Sequence, residues 1–284
     1  MESSVCGNFA DVTSAGQSAN QSARQVANSR PVKIGARVGI LAYGITHILI
    51  GLLALQIAFG QGGEQADQNG AFQAIAQQPF GQVLLWVLVV GFVFAALWKV
   101  EEAIWGYTYM SDKKKVVRKK VTSGAKAVLF VVLAFLAGRT AMGSGGGGNQ
   151  QQAATAGVLA LPGGQFLVGL AGLLIVALGV YKIVRGWQQK FTEEMDLPSD
   201  RRARQLALRS GQAGYIGRGI ATGIVGILVL FAAINFNPQE AGGIDAALKT
   251  LAAQPFGPYL LILVALGFIA FGVFSFFDAR YHRV

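Results

Sequence analysis

The sequence predicts an all-α membrane protein: a polytopic bundle of six transmembrane helices, built as three repeated helix hairpins in a pseudo-threefold arrangement. Three observations predict this fold class: six long apolar segments, a spacing that recurs three times, and a one-sided distribution of Lys and Arg. The 284-residue chain is 53% hydrophobic and 13% charged, whereas soluble domains are about 25% charged. A net charge of +10 would suit a nucleic-acid-binding protein, but the long apolar runs indicate the lipid bilayer instead. No nucleic-acid partner is therefore expected.

Six apolar segments are each long enough to cross about 30 Å of hydrocarbon as a helix. The third is the least apolar, because Lys126 and Arg139 lie at its two ends. The segments lie near residues 38–59, 81–100, 125–142, 164–184, 216–236 and 258–277.

The six segments form three pairs with the same internal spacing. The sequence QPFG at 78–81 and again at 254–257 precedes the second helix of a pair, and LPGG at 161–164 holds the same place in the middle pair. A proline is tolerated in the first turn of a helix, where its missing N–H is not needed. Internal repetition of this kind predicts one structural unit used three times. The turn prolines are Pro79, Pro162 and Pro255.

The repeats divide the chain into helix pairs, linkers and a tail. The N-terminal tail is rich in Ser, Ala, Asn and Gln and is expected to be disordered. Its Cys6 is the only cysteine, so a disulfide within the chain is excluded. In the second linker, Asp200 is expected to cap a short helix that runs through Arg209. The predicted units are the cytoplasmic tail 1–36, the first repeat 37–110, a basic linker 111–123, the second repeat 124–190, a charged linker 191–213 and the third repeat 214–284.

A short amphipathic segment precedes each QPFG sequence. Phe72 and Ile75 in the first repeat correspond to Leu248 and Leu251 in the third, an apolar pair at i and i+3. This pattern predicts a short helix lying on the membrane surface. The alternative is a re-entrant pore helix, whose backbone would have to be shielded at membrane depth.

Basic residues cluster on one side of the predicted spans. Of the 24 Lys and Arg residues, all except Arg139 and Lys249 fall in the N-terminal tail, the two inner linkers with their flanking helix ends, or the C-terminal end. Because cytoplasmic loops collect Lys and Arg, both termini are predicted to be cytoplasmic in the plasma (inner) membrane. The same charge is expected to attract anionic lipid headgroups at this face.

Candidate functional residues are few. No Asp or Glu lies in the middle of a span, which argues against proton-coupled transport. His47 is the only histidine inside a span, so a haem or metal site would lack its second ligand. We expect His47 to form a hydrogen bond between helices, with a titrating role as the alternative. No metal or cofactor is predicted.

Polar residues at the inner ends of the spans align between repeats. The place of Tyr43 is taken by Lys126 and Arg218, and Lys99 aligns with Lys182. Around a pseudo-threefold axis these residues would form a cytoplasmic ring of mixed charge, in which Glu102 could pair with Arg185. The alternative is that the basic side chains only extend toward water. The candidate polar residues are His47, Lys126, Arg218, Glu102, Arg185 and Asp278.

Small residues recur seven positions apart on one face of the first helix of each pair. Because lipid does not drive helices together, close backbone contact through small residues has to do so. We therefore predict that these residues pack helices together, and the alternative is a substrate path along the same face. The predicted packing glycines are Gly44, Gly51, Gly219, Gly223 and Gly226.

The segments GILAYGITHILIGLLAL at 39–55 and GYIGRGIATGIVGILVL at 214–230, with the Pro-Phe-Gly entries, resemble a family of uncharacterised actinobacterial membrane proteins. That family has a domain of unknown function in which a helix pair is repeated three times. The resemblance covers about 37–282 and departs in the second repeat, where Gly163 replaces Phe. It implies the fold and a membrane location, and no activity.

The function predicted from the sequence is that of a non-enzymatic protein. No nucleophile, metal set or acid–base pair stands out. We expect a structural or accessory component of the plasma membrane or of a larger membrane complex, with a membrane protein as partner. The alternative is a small transporter or channel with a conduit between the three repeats.

Overall fold

The computed structural model describes residues 30–61, 65–106, 113–144 and 150–281. Cys6 and the N-terminal tail lie outside these ranges. Two short 3-10 helices occur at Lys190–Glu194 and Pro238–Glu240. The α-helices are α1 (Arg30–Ala58), α2 (Gln68–Ala76), α3 (Gly81–Trp105), α4 (Lys113–Ala141), α5 (Gln150–Leu159), α6 (Gly164–Trp187), α7 (Arg201–Ile234), α8 (Ile244–Ala252) and α9 (Gly257–Tyr281).

Six of these helices are long and apolar enough to cross a membrane, which confirms the predicted number of spans. They are α1, α3, α4, α6, α7 and α9. The inner linkers form parts of spanning helices, since α4 begins at Lys113 and α7 at Arg201. Asp200 caps α7 as predicted, because its carboxylate accepts a hydrogen bond from the Ala203 N–H at 2.7 Å. The helix is not short, however, and continues without a break to Ile234.

A residue in left-handed conformation ends the turn before the second helix of each pair. Phe80, Gly163 and Phe256 have φ angles of 64°, 74° and 60°, and each directly follows a turn proline. The proline thus lies in the turn itself and not in the first helical turn, where the sequence placed it. Left-handed conformation costs an L-residue about 1–2 kcal/mol. Gly163 avoids that cost, whereas the two phenylalanines bear it.

The short helices pack onto the bundle. α2 contacts α1, α3 and α4, and α8 contacts α7, α9 and α1. Phe72 and Leu248 are fully buried, and the ring of Phe72 lies 6.3 Å from that of Phe92, near the middle of α3. The predicted apolar faces therefore point into the protein.

The long helices form a ring that stays open at one place. α1 packs on α3, α3 on α4, α6 on α7 and α7 on α9, and α9 returns to α1. In the described ranges, α4 and α6 have no comparable contact, although they are the two helices of the second repeat. The most extensive interfaces join the first helix of one repeat to the second helix of the repeat before it. The order of the helices is therefore cyclic, with the second hairpin opened.

A glycine in the second helix allows the first and third hairpins to close. A Cβ atom at Gly91 would lie 3.2 Å from the Cα of Gly39, and one at Gly267 would lie 2.8 Å from the Cα of Gly217. The equivalent position in the second repeat is Leu174, whose side chain is exposed. Because a leucine prevents backbones from approaching this closely, we attribute the opening of the second hairpin to this difference.

Two of the small residues singled out from the sequence lie at the interfaces between repeats. A Cβ atom at Gly51 would lie 2.8 Å from the backbone oxygen of Ala265 on α9. A Cβ atom at Gly226 would lie 2.6 Å from the backbone nitrogen of Val176 on α6. Both glycines therefore sit where two helix backbones meet.

The other three small residues divide into two groups. A Cβ atom at Gly44 would lie 3.0 Å from the backbone oxygen of Gly272, and one at Gly219 would lie 2.8 Å from that of Gly179. Gly223 differs, because a Cβ atom there would meet nothing within 4 Å. Its backbone is nevertheless close to Gly179, whose Cβ would lie 2.6 Å from the Gly223 nitrogen.

Candidate functional site

Aromatic rings fill the centre of the ring of helices. Tyr43 of α1 lies 5.6 Å from Phe130 of α4 and 5.9 Å from Phe271 of α9, measured between ring centroids. Phe130 in turn lies 6.2 Å from Phe92 of α3. Phe92, Phe130 and Phe271 are all buried. This aromatic core bridges four of the six long helices.

His47 belongs to the aromatic core and is itself buried. Its ring centroid lies 4.3 Å from that of Tyr43 and 5.0 Å from that of Phe271. Its Nδ1 lies 2.7 Å from the backbone oxygen of Tyr43, so Nδ1 is the nitrogen that carries the donated proton. The hydrogen bond runs within α1, and the expected bond between helices is therefore replaced by a bond inside one helix.

Arg218 reaches from α7 across to α1. Its Nη2 donates to the Tyr43 hydroxyl at 2.5 Å, and its guanidinium carbon lies 4.0 Å from the ring centroid of Phe271. Tyr43 and Arg218 hold equivalent positions in the first and third repeats, so their contact places both near the axis that relates the repeats. The hydrogen bond and the aromatic faces offset part of the cost of placing a charge here.

Lys182 of α6 lies next to this arginine. Its Nζ donates to the Thr222 hydroxyl at 2.9 Å, and that hydroxyl donates to the backbone oxygen of Arg218 at 2.7 Å. Since Arg218 and Thr222 are one turn apart on α7, they lie on the same face of that helix. Lys182 and Arg218 are both half-buried.

The equivalent lysine in the first repeat is neutralised by an acid. The Nζ of Lys99 lies 2.5 Å from Oε2 of Glu102, and the Ser123 hydroxyl of α4 donates to the same oxygen at 3.1 Å. Lys99 is only 3% exposed, a depth at which a lysine normally needs a partner. In the second repeat Arg185 stands where Glu102 stands in the first, so Lys182 has no acid at this position.

The remaining inner-end residues lie on four different helices. Glu102 is on α3 and Arg185 is on α6, two helices that do not pack side by side within the described residues. Arg185 instead lies over the ring of Tyr215, with 5.7 Å from its guanidinium carbon to the ring centroid. Lys126 and Asp278 are half-buried near the inner ends of α4 and α9. The structure thus gives no support to a ring closed by a Glu102–Arg185 pair.

Tyr43, Lys182 and Thr222 take part in the central cluster. The repeat alignment placed Tyr43 and Lys182 in the predicted ring without selecting them as candidates, and Thr222 was not predicted. The signal was present in the repeat alignment. The first repeat has Lys-x-x-Glu at 99–102, and the second has Lys-x-x-Arg at 182–185. A lysine that keeps its place while its acid changes to a base points to a cation with a different role.

Other features carry little chemistry. In the part of the chain that the structure describes, no group of three or more His, Cys, Asp or Glu side chains could hold a metal ion. Two apolar grooves of about 660 and 620 Å³ lie between α1 and α3 and between α7 and α9. They are lined by glycine, alanine and larger apolar side chains, and offer no group for catalysis.

The fold and these contacts define the class of the protein: a membrane protein of six apolar helices, made from a helix pair repeated three times. The chain belongs to the DUF1206 family, a domain of unknown function, whose profile matches three times, at residues 38–106, 121–189 and 213–282. This confirms the expected triplicated domain.

Similarity to known proteins adds no activity. The uncharacterized protein YxxB of Bacillus subtilis (strain 168) is 30% identical over 254 residues, which cover 89% of this chain and 92% of the relative. Because this relative comes from a Bacillus, the similarity does not tie the chain to the actinobacteria. No solved structure matches the chain.

Proposed function

We propose that this protein is a non-catalytic accessory component of the plasma membrane, which acts by binding a partner at its open edge. The observation that supports this most is the aromatic core, in which the Tyr43 ring packs against those of Phe130 and Phe271 at the centre of the ring. A conduit between the three repeats would have to pass through these rings. Since packed protein interiors leave few voids larger than a water molecule, the packing argues against a conduit.

The open edge of the ring is the surface that suits a partner. Among the long helices, α6 packs on α7 alone within the described residues, and only 17% of its most apolar stretch is buried. Leu174 and Leu178 on α6 are more than half exposed. The corresponding helices of the other two repeats, α3 and α9, each lie between two neighbours. An apolar transmembrane helix of another protein would give α6 the second neighbour that it lacks.

Photo-cross-linking in native membranes tests this proposal. A photoreactive amino acid at Leu174 is expected to give a protein adduct of one discrete mass. The matched control is Leu97 on α3, which is similarly exposed but lies on a helix with two neighbours. If both positions form adducts with lipid alone, the protein has no helical partner at this edge and the accessory role is wrong.

Reconstitution tests the transporter alternative. Liposomes that contain the purified protein are expected to show the same K⁺, Cl⁻ and H⁺ fluxes as liposomes without protein. Phe130→Ala would remove one ring from the aromatic core, and no flux is expected from this variant either. A flux that appears with the wild type and rises in Phe130→Ala would establish a conduit through the centre.

We infer from the charge distribution that both termini face the cytoplasm. Single cysteines in a Cys6→Ser background test this orientation with a membrane-impermeant thiol reagent. Cysteines at Gln68 or Gln239 should be labelled in intact cells, and cysteines at Ser111 or Ser199 only after lysis. The opposite pattern would invert the topology.

A further inference from the structure

We propose that Lys182 and Arg218, with Thr222 between them, form a binding site for a phosphate-type anion in the half of the bundle that is predicted to face the cytoplasm. This site is independent of the accessory role, because it lies among the helices and not on the outer surface of α6. Three observations support it: unused hydrogen-bond donors, missing counter-charge, and the contrast with the equivalent lysine of the first repeat.

The two cations have donors to spare. A lysine ammonium has three N–H donors and an arginine guanidinium has five. Within the described residues, Lys182 donates to Thr222 and Arg218 donates to Tyr43, one hydrogen bond each. Over the described ranges, no nitrogen of the Arg218 side chain is both fully buried and without a hydrogen bond, so its unbonded nitrogens are at least partly accessible, and Lys182 is half-buried. An anion placed there would receive charge-assisted hydrogen bonds from both side chains.

The two cations also lack counter-charge. Their acceptors, the hydroxyls of Thr222 and Tyr43, are neutral, and in the described ranges neither cation forms an ion pair with a carboxylate. Placing like charges together within a membrane bundle is costly unless something of opposite sign is nearby. Charged residues in spans therefore mark functional sites by default. A bound anion would remove both the cost and the repulsion.

The first repeat has a lysine at the position equivalent to Lys182, but there the lysine is paired with an acid. There Lys99 is neutralised by Glu102 at 2.5 Å and is almost completely buried. In the second repeat the lysine is kept, the acid is replaced by Arg185, and Lys182 is half-buried. The change from acid to base at this position thus leaves Lys182 without the acid on its own helix that Lys99 has.

The position of the site limits the ligand. Arg218 lies about 24 Å along α7 from its Ile234 end, at about 1.5 Å per residue. In a hydrocarbon core of about 30 Å, this places it near the inner-leaflet headgroups. Tyr43 contacts α4 on one side and Arg218 of α7 on the other, so the site lies behind the gap between α4 and α6. Either the phosphate of an anionic lipid entering through this gap or free phosphate from the cytoplasm would match the donors.

Ligand binding to the full-length protein in a neutral maltoside detergent tests the proposal. Inorganic phosphate is titrated in one series and short-chain phosphatidylglycerol in another, with phosphatidylcholine of the same chain length as the net-neutral control. The readout is the rise in thermal unfolding midpoint with ligand concentration, from which Kd is obtained. We expect saturable stabilisation by phosphatidylglycerol, phosphate or both, and little by phosphatidylcholine.

Two variants locate the binding site. Lys182→Gln removes one cation. The Kd of this variant for the stabilising ligand is expected to rise about tenfold or more, since a hydrogen bond to a charged group is lost. Arg185→Glu recreates the Lys-x-x-Glu sequence of the first repeat and should weaken binding to a similar degree. Lys182→Arg keeps the charge and should retain binding. The matched control is Arg202→Gln, an exposed arginine on α7, which should bind like the wild type.

Each outcome decides the proposal. Stabilisation by phosphate alone identifies a soluble anion as the ligand, and stabilisation by phosphatidylglycerol alone identifies a lipid headgroup. In either case the stabilisation must be lost in Lys182→Gln or Arg185→Glu. The proposal is overturned if neither ligand binds, or if both of these variants bind as tightly as the wild type. Circular dichroism and gel filtration show which variants are folded. One folded variant, Lys182→Gln or Arg185→Glu, is enough for the test. Neither result depends on the cross-linking at Leu174.

Discussion

The contact between α6 and α7 can be tested with a single methyl group. In Gly226→Ala the new Cβ atom would lie 2.6 Å from the backbone nitrogen of Val176 and 3.0 Å from the backbone oxygen of Gly172. Because backbone atoms cannot turn aside, the helices would have to separate. Overpacking of this kind costs about 1–3 kcal/mol, and the better helix propensity of alanine returns about 1 kcal/mol. We expect a net loss of up to about 2 kcal/mol.

Gly223→Ala is the matched control on the same helix. A Cβ atom at Gly223 would meet nothing within 4 Å, so only the helix propensity changes, and stability should rise by about 1 kcal/mol. The two variants should therefore differ by the overpacking cost of about 1–3 kcal/mol, or roughly 2–12 °C in Tm for a protein of this size. Gly60 is less suitable as a control. It has open space around it, but its φ of 71° would strain any other residue at that position.

Thermal unfolding in detergent measures this difference. Gly51→Ala should behave like Gly226→Ala, since its Cβ atom would lie 2.8 Å from the backbone oxygen of Ala265 on α9. If the Gly226 and Gly223 variants are equally stable, the backbones of α6 and α7 are not in contact. The order of helices in the ring would then be wrong.

Two further predictions concern the turns and the outer loops. Gly163→Ala should lower the unfolding free energy by about 1 kcal/mol because Gly163 has a φ of 74°. For the same reason Phe80→Gly should be more stable than Phe80→Ala. Equal unfolding midpoints for the two Phe80 variants would contradict the left-handed turn. Burial raises the pKa of Asp67, and the hydrogen bond from the Gly70 N–H opposes this only in part. Ionisation of Asp67 thus destabilises the fold as the pH rises through that raised pKa. Asp67→Asn keeps the N-cap, so its advantage in Tm over the wild type should be largest at neutral pH and shrink toward acid pH.

The spans and the repeats were predictable because both depend on local sequence. Apolar length alone identifies a spanning helix, and the register of the three prolines pairs the helices. The opening of the second hairpin was not predictable in this way. It depends on Leu174 standing where the other repeats have glycine, and the sequence does not show which face of α6 would have met α4.

The central cluster was only partly predictable. Equivalent positions of a cyclic arrangement meet near its axis, so the alignment of Tyr43 with Arg218 indicated their contact. The sequence suggested an ion pair between repeats, from Glu102 to Arg185, with basic side chains that only extend toward water as the alternative. Glu102 instead bonds to Lys99, one turn away on the same helix, where little side-chain entropy has to be lost to bring the charges together.

The opened hairpin yields a prediction that needs no ligand. A Cβ atom at Gly267 would lie 2.8 Å from the Cα of Gly217, so Gly267→Ala would push the backbones of α7 and α9 apart. Its unfolding free energy should fall by up to about 2 kcal/mol, an overpacking cost of about 1–3 kcal/mol less about 1 kcal/mol of helix propensity. The equivalent position of the second repeat is Leu174, whose side chain is exposed on a helix that does not pack on α4 within the described residues. Leu174→Ala should therefore change the unfolding midpoint in detergent very little. A loss of stability in Leu174→Ala as large as that in Gly267→Ala would mean that α4 and α6 form a closed hairpin, and that the gap proposed as the entrance to the anion site does not exist.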